Sequence, residues 1–211
     1  MPQVVGVARR ATFKIVYYGP GLAGRTTNVR YIIDRTGSTN LIPGDPIQKL
    51  CGLYFDADLG ALWAEFSPRS MRPLPDGQQA GFRLLVPPAS LFLDPRRRDC
   101  LKDVDGLVFV ADSQEARFEA NIECIEELRA NLKWHGVDLR DVPRVLQLNK
   151  RDVPSAVLVS KLVRELRIEE EPVFEAVAVT GHGVFECIKD LAGQVLRQHL
   201  RKALVSPQSP H

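Results

Sequence analysis

Hydrophobic and polar residues alternate in blocks along the chain, with short unbroken apolar runs separated by longer stretches of helical periodicity. The clearest runs are "FKIVYYG" (13–19), "GLVFVAD" (106–112), "PRVLQLNK" (143–150) and "FEAVAVT" (174–180). Apolar runs of this length, without polar alternation, are typical of strands that are covered on both faces. Two further runs, "LYFDADLGALWAEFS" and "GFRLLVP", predict a hairpin joined by a long connection rich in proline and glycine.

The stretches between these runs have the spacing of amphipathic helices. One apolar helical face follows the run 106–112 and consists of Phe118, Ile122, Ile125, Leu128 and Leu132. Another lies near the end of the chain and consists of Ile188, Leu191, Val195 and Leu196. Alternation of strands and helices predicts an α/β sandwich with a mostly parallel sheet and right-handed crossovers. Ligands of such sheets bind beyond the carboxyl ends of the strands.

Composition places the chain among soluble globular proteins, with 45% hydrophobic and 26% charged residues in 211. A net charge of +2 gives no indication of a nucleic-acid partner, and we expect the cluster at residues 96–98 to be a solvated surface. The four cysteines have no disulfide or zinc-ligand spacing, which favours a reducing compartment. No signal peptide, membrane-spanning stretch or lipidation motif is visible. We therefore expect a cytoplasmic protein without a membrane anchor.

The segment "GPGLAGRTTN" (19–28) follows the first strand and has the outline of a phosphate-binding loop. Its glycines let consecutive N–H groups converge on an anion, and the helix that follows directs its positive end at the same place. Arg25 stands where the motif has lysine, and Thr26 is placed to ligate Mg²⁺. The predicted phosphate-contacting set is Gly19, Gly21, Leu22, Ala23, Gly24, Arg25, Thr26 and Thr27.

A second motif, "NKRD" (149–152), follows a later strand and predicts recognition of guanine. The Asp152 carboxylate can accept both N–H groups of the guanine edge, Asn149 can bond to N7, and the Lys150 stem can lie over the ring. "AVTG" (178–181) follows the next strand, where the loop formed by Ala178, Val179 and Thr180 would bring backbone amides to the base carbonyl. This guanine set opposes an ATPase or kinase.

These three motifs, in this order, resemble those of Ras-like small GTPases. The flanking segments "KIVYYGPGL", "VDGLVFVADSQEARFEAN" and "TGHGVF" are similar to the bacterial MglA-type GTPases of gliding motility and cell polarity, and the similarity weakens between residues 36 and 98. The resemblance implies a three-layer Ras-like P-loop sandwich, which we place over residues 1–204, with a short flexible tail over 205–211. It also implies binding of GTP or GDP with Mg²⁺, and partners such as a roadblock-fold (MglB-like) regulator or a polarity protein.

The sequence departs from that family where GTP hydrolysis would be assisted. Cys51 and Gly52 replace the family's arginine and threonine, and "VPPAS" (86–90) replaces Thr-Val-Pro-Gly-Gln, which puts Ala89 and Ser90 in place of glycine and glutamine. These changes remove a cation, a metal ligand and the residue that orients water, and they predict a pseudo-GTPase. Two alternatives stay open: a GTPase switch completed in trans by an activator, and an interaction module that binds no nucleotide. A shifted alignment of these loops is the other interpretation of the changes.

Overall fold

The chain is built around one sheet in a computed structural model that describes residues 10–36, 49–50, 53–68, 72–89, 95–168 and 170–205. The strands are β1 (Arg10–Tyr18), β2 (Lys49–Leu50), β3 (Leu53–Asp56), β4 (Ala61–Phe66), β5 (Gln79–Val86), β6 (Gly106–Asp112), β7 (Arg144–Asn149) and β8 (Val173–Glu175). The helices are α1 (Arg25–Thr36), α2 (Pro95–Asp99), α3 (Phe118–Trp134), α4 (Val159–Glu165) and α5 (Val184–Val205). Two 3₁₀ turns, Glu115–Arg117 and Leu139–Asp141, precede α3 and β7.

Within the described residues the strands form one eight-stranded sheet in the order β2-β3-β4-β5-β1-β6-β7-β8. β5, β1, β6, β7 and β8 are parallel to one another, and β2, β3 and β4 extend the sheet as an antiparallel edge. The predicted mostly parallel sheet and the hairpin across residues 67–78 are confirmed. The first segment of that hairpin turns back on itself at residues 57–60, so it supplies both β3 and β4.

The two faces of the sheet carry separate hydrophobic cores. Ile15 and Tyr17 of β1 reach one core, whereas Val16 and Tyr18 reach the other, which explains why the second half of this strand, residues 15–18, is apolar at every position. The first core is covered by α1 and α5 through Val29, Ile32, Ile33, Ile188, Leu191 and Val195, and the second by α3 and α4 through Ile125, Leu128, Leu132 and Leu162. The three-layer sandwich is thereby confirmed.

The last predicted strand is shorter in the structure than the apolar run "FEAVAVT" indicates. β8 ends at Glu175 because its neighbour β7 ends at Asn149, and beyond that point the backbone has no strand to pair with. Residues 176–180 turn away instead, with the Thr180 and Gly181 amides both donating to the carbonyl of Val177. This turn forms the third predicted loop of the site.

The predicted boundary between domain and tail can be compared with the end of α5. Val205, which we assigned to the tail, is the last residue of α5, while residues 1–9 and 206–211 lie outside the described part of the chain. None of the helices in the described ranges combines the length and apolar composition needed to cross a bilayer.

Packing of α5 on the sheet gives a first testable prediction. Leu191 is fully buried, and a Cβ added at Gly106 of β6 would lie 3.3 Å from its Cδ1, so helix and strand are in close contact. We expect Leu191→Ala to lower the free energy of unfolding by about 2–5 kcal/mol through loss of contacts and creation of a cavity. Urea unfolding measures the change, with the exposed Lys189→Ala of the same helix as control. Equal stability of the two variants would show that α5 is peripheral.

Candidate functional site

The loop between β1 and α1 lies at the carboxyl end of the parallel sheet and is pressed against its neighbours. Gly19 has φ +150°, and a Cβ there would collide with the carbonyl of Val110 in β6. Gly24 has φ +96°, and the space of its missing Cβ is filled by the side-chain amide of Asn149. Both positions therefore require glycine for space as well as for conformation. This narrow backbone cradle is what the phosphate-loop motif predicts.

Asn149, the last residue of β7, joins two of the predicted loops. Its side chain is 2% exposed; Nδ2 donates to the carbonyl of Ala23 at 2.7 Å, and Oδ1 accepts from the amide of Ala178 at 2.9 Å. The phosphate loop and the loop after β8 are thus held together through one amide group. Sequence reasoning assigned this amide to guanine N7 and missed its bridging role.

The two remaining members of the guanine motif differ in how they are held. Lys150 has φ +63°, and its Nζ donates to Asp112 Oδ2 at 2.6 Å and to Gln114 Oε1 at 3.0 Å. Since Asp112 is fully buried, this ion pair fixes the ammonium group. Asp152 is exposed, and its carboxylate has no hydrogen-bond or ion-pair partner among the described residues. Its oxygens are therefore available to a ligand.

The loop after β8 contributes the other base-facing residues predicted from the sequence. Val179 is 74% exposed, and Thr180 caps its own turn by donating from Oγ1 to the Val177 carbonyl at 3.1 Å. Of this loop, Ala178 is the residue that the structure ties to the phosphate loop, through Asn149. The contacts proposed for Val179 and Thr180 stay predictions.

Arg25, the first residue of α1, is a buried cation beside the phosphate loop. It is 5% exposed, and its Nη1 donates to the carbonyl of Pro87 at 3.1 Å. No carboxylate within the described ranges pairs with it. Burial, and then repulsion by Arg97, lowers the pKa of Arg25 to about 10, so the group is still charged at neutral pH. A buried positive charge without a counter-ion favours an anion at this place. Thr26 and Thr27 follow it, half-buried, in the first turn of α1.

Arg97 contradicts the prediction that the arginine cluster is a solvated surface. It is 2% exposed, and its Nε and Nη2 donate to the two carboxylate oxygens of Glu127 at 2.8 and 3.0 Å. Its Nη1 donates to the carbonyl of Pro88 at 2.8 Å, and its guanidinium lies 4.4 Å from the Tyr18 ring centre. Burial is the largest single effect and lowers the pKa of Arg97, but the hydrogen bonds with Glu127 and the charge interactions with Tyr18, Cys124 and Glu127 together outweigh it and raise that pKa. Sequence reasoning had no signal for this pair because Glu127 is 30 residues away.

Two further contacts of the phosphate loop were also missed. Arg117, in the 3₁₀ turn before α3, donates from Nη2 to the carbonyl of Gly21 at 2.8 Å. A Cβ added at Gly21 would lie 3.4 Å from the carbonyl oxygen of Ala89, so the loop lies directly against the segment after β5. The phosphate loop is therefore supported from β6, from the 3₁₀ turn before α3 and from the segment after β5.

The structure describes some of the positions on which the pseudo-GTPase interpretation depends. Cys51, Gly52 and Ser90 lie outside the described residues. Pro87 is buried, Pro88 is half-buried and Ala89 is exposed. The roles assigned to these positions stay predictions.

No family model matches the chain. The chain is 43% identical over 191 residues to the mutual gliding-motility protein MglA of Myxococcus xanthus (strain DK1622), an alignment that covers 90% of this chain and 94% of that protein. This similarity confirms the predicted relationship. The chain belongs to the MglA family of Ras-like small GTPases.

Proposed function

We propose that the protein binds guanine nucleotides and acts as a regulatory, partner-binding module in motility or cell polarity, with negligible GTP hydrolysis of its own. The observation that supports nucleotide binding best is the bridge made by Asn149. It joins the phosphate loop at Ala23 to the loop after β8 at Ala178, which we call the base loop (residues 178–180), and this supports a site in which the two loops bind opposite ends of one nucleotide. Preassembly of this kind lowers the entropic cost of binding a ligand.

Selection of guanine is assigned to Asp152. An exposed carboxylate that has no partner among the described residues can accept two N–H groups side by side, which guanine offers on one edge and adenine does not. Lys150 is held by Asp112 and Gln114, and these contacts keep its aliphatic stem in a fixed position. These two residues would hold the base between them.

The phosphates fit the cradle formed by the narrow glycine loop and the buried charge of Arg25. Gly19 and Gly24 leave no room for side chains, and Arg25 supplies a positive charge that no described carboxylate neutralises. Thr26 supplies a hydroxyl on the first turn of α1, the place from which it would ligate Mg²⁺. When bound, GTP and Mg²⁺ supply the terminal phosphate and the divalent charge through which family members switch between two states.

Loss of hydrolysis follows from the residues that flank the site. Cys51 has no cationic group, Gly52 has no hydroxyl, and Ser90 is too short to hold a water molecule where glutamine would. Pro87 stands where the family has valine, so it removes one further N–H donor from the segment that would contact the terminal phosphate, and together with Pro88 it restricts the backbone there. A chain with these residues can bind GTP and signal its presence to a partner without hydrolysing it.

The partner is proposed to be a roadblock-fold (MglB-like) regulator or another polarity protein. The name of the Myxococcus relative places that protein in gliding motility. If the regulator supplied the missing cation and water-orienting group, the protein would work as a switch that is completed in trans.

A second candidate, an interaction module that binds no nucleotide, is favoured by one observation. The guanidinium of Arg25 already has an acceptor in the Pro87 carbonyl at 3.1 Å, so the loop can satisfy part of its hydrogen bonding without a phosphate. A single carbonyl does not neutralise a buried cation, however, and we rank this candidate below nucleotide binding.

Guanine specificity is tested by Asp152→Ala. We expect GDP affinity to fall by about 1–3 kcal/mol, since two base N–H groups lose their acceptor, which is roughly a fivefold to 150-fold change in Kd. Isothermal titration of GDP and ADP into both proteins measures it, with the exposed Asp58→Ala as a control at the far edge of the sheet. Equal affinity of the unmodified protein for GDP and ADP would rule out the guanine assignment.

Hydrolysis is tested by multiple-turnover phosphate release from GTP. We expect negligible turnover, because each missing positioned donor commonly costs about 10²- to 10³-fold in rate and a missing arginine finger about 10³- to 10⁵-fold. Ser90→Gln alone should restore little, since Cys51 and Gly52 would still supply neither charge nor metal ligand. Steady turnover of the unmodified protein on addition of a roadblock-fold regulator would replace the pseudo-GTPase assignment with the switch completed in trans.

A further inference from the structure

Two arginines from different elements hold two consecutive carbonyl groups just after β5. Arg25 of α1 donates to Pro87, and Arg97 of α2 donates to Pro88, at 3.1 and 2.8 Å. We name residues 87–89 the diproline segment. Because neither proline has an N–H group, these carbonyls are the backbone groups through which Pro87 and Pro88 can be hydrogen-bonded. The segment lies against the phosphate loop, with the Ala89 carbonyl close to Gly21.

The two arginines are held very differently. Arg97 makes two hydrogen bonds with Glu127 and lies over the ring of Tyr18, whose hydroxyl in turn accepts from Asn131 at 3.1 Å. Its position is therefore fixed by groups that are independent of the phosphate loop. Arg25 has the Pro87 carbonyl as its hydrogen-bond acceptor and no carboxylate partner among the described residues. Its contact with the segment is the one that can be exchanged.

An anion in the phosphate loop would compete directly for the guanidinium of Arg25. A hydrogen bond from a cation to a phosphate is charge-assisted and stronger than one to a neutral carbonyl. Arginine also has five donors on a long planar group, whereas lysine has a compact charge at the end of its stem. The substitution of arginine for lysine therefore gives the loop a contact that reaches the diproline segment.

We propose that Arg25 couples phosphate binding to the diproline segment by donating either to the Pro87 carbonyl or to a phosphate, while Arg97 holds the Pro88 carbonyl in both states. This inference rests on the proposed nucleotide site and assigns its regulation. Arg97 is a positioning residue: it acts on the segment and does not touch the ligand. Phosphate binding then changes the hydrogen bonding of the Pro87 carbonyl and leaves that of the Pro88 carbonyl unchanged.

The test is a carbon-detected NMR titration of the 13C,15N-labelled full chain, which observes proline carbonyls directly. The probes are guanosine, GDP and inorganic pyrophosphate, added separately. We expect GDP to shift the Pro87 carbonyl upfield, because it loses a hydrogen bond, and to leave the Pro88 carbonyl in place. Guanosine should shift the Ala178 amide of the base loop without moving Pro87, whereas pyrophosphate should move Pro87 alone.

These outcomes separate the two proposals. If GDP shifts the Ala178 amide but leaves the Pro87 carbonyl unchanged, the coupling is overturned and nucleotide binding stands. If pyrophosphate moves Pro87 while GDP and ADP bind equally well, the coupling stands and guanine recognition is overturned. A Pro87 shift of the same size with guanosine, or no Pro87 shift with any probe, overturns the coupling.

Two variants and a matched control test the separate roles of the arginines. Arg97→Lys should shift the Pro88 carbonyl before any probe is added, since lysine cannot bind both Glu127 oxygens and that carbonyl together. Arg98 is the next residue of the same helix and stacks on Trp134, so Arg98→Lys should leave the chemical shift of the Pro88 carbonyl unchanged. Arg25→Lys should abolish the response of Pro87 to GDP. A Pro88 shift that is equal in the Arg97 and Arg98 variants would overturn the anchoring role.

Discussion

The site depends on the burial of one side-chain amide, that of Asn149, between two loops. Its nitrogen and oxygen satisfy the Ala23 carbonyl and the Ala178 amide, and its bulk fills the place of a Cβ at Gly24. Without it, two buried backbone groups would lose their partners, at a cost of about 1–3 kcal/mol each. Where β7 ends and offers β8 no further pairing, the same amide binds the backbone of the next loop at Ala178. The glycine required at Gly24 and the position of Ala178 thus depend on one residue at a strand end.

Much of this arrangement could be predicted from the sequence because it is recorded in local patterns. Unbroken apolar runs gave β1, β6 and β7, and the face formed by Ile188, Leu191 and Val195 gave the packing of α5. Motifs that follow strands must meet at the carboxyl edge of a parallel sheet, so the meeting of the loops was predictable from their order. The prediction of a strand over the whole run 174–180 was wrong because the length of β8 is limited by the end of β7, and the end of a neighbouring strand leaves no periodic signature in this run.

The buried arginines could not be predicted for the same physical reason. Arg25 and its acceptor Pro87 are 62 residues apart, and Arg97 and Glu127 are 30 apart, so each contact exists only after the sheet has formed. α2 has five residues, too few for an apolar face to show which of its arginines is inward. The rule that a run of charged residues is a solvated surface holds for most such runs. It does not indicate when one guanidinium of the run binds a carboxylate and packs on an aromatic ring in the interior, as Arg97 does.

The electrostatics of Arg25 and Arg97 explain why Arg25 differs in its effect from the lysine that the phosphate-loop motif has at this position. Glu127 neutralises Arg97 through two hydrogen bonds, whereas no carboxylate of the described residues pairs with Arg25, so these buried side chains together carry excess positive charge. Each buried cation is costly unless it is paired, and two adjacent cations also repel each other. An anion in the loop removes both penalties at once, whereas a neutral carbonyl removes neither. On the proposal made above, the Arg25–Pro87 contact is the weaker of two arrangements, and the binding of phosphate would shift the balance between them.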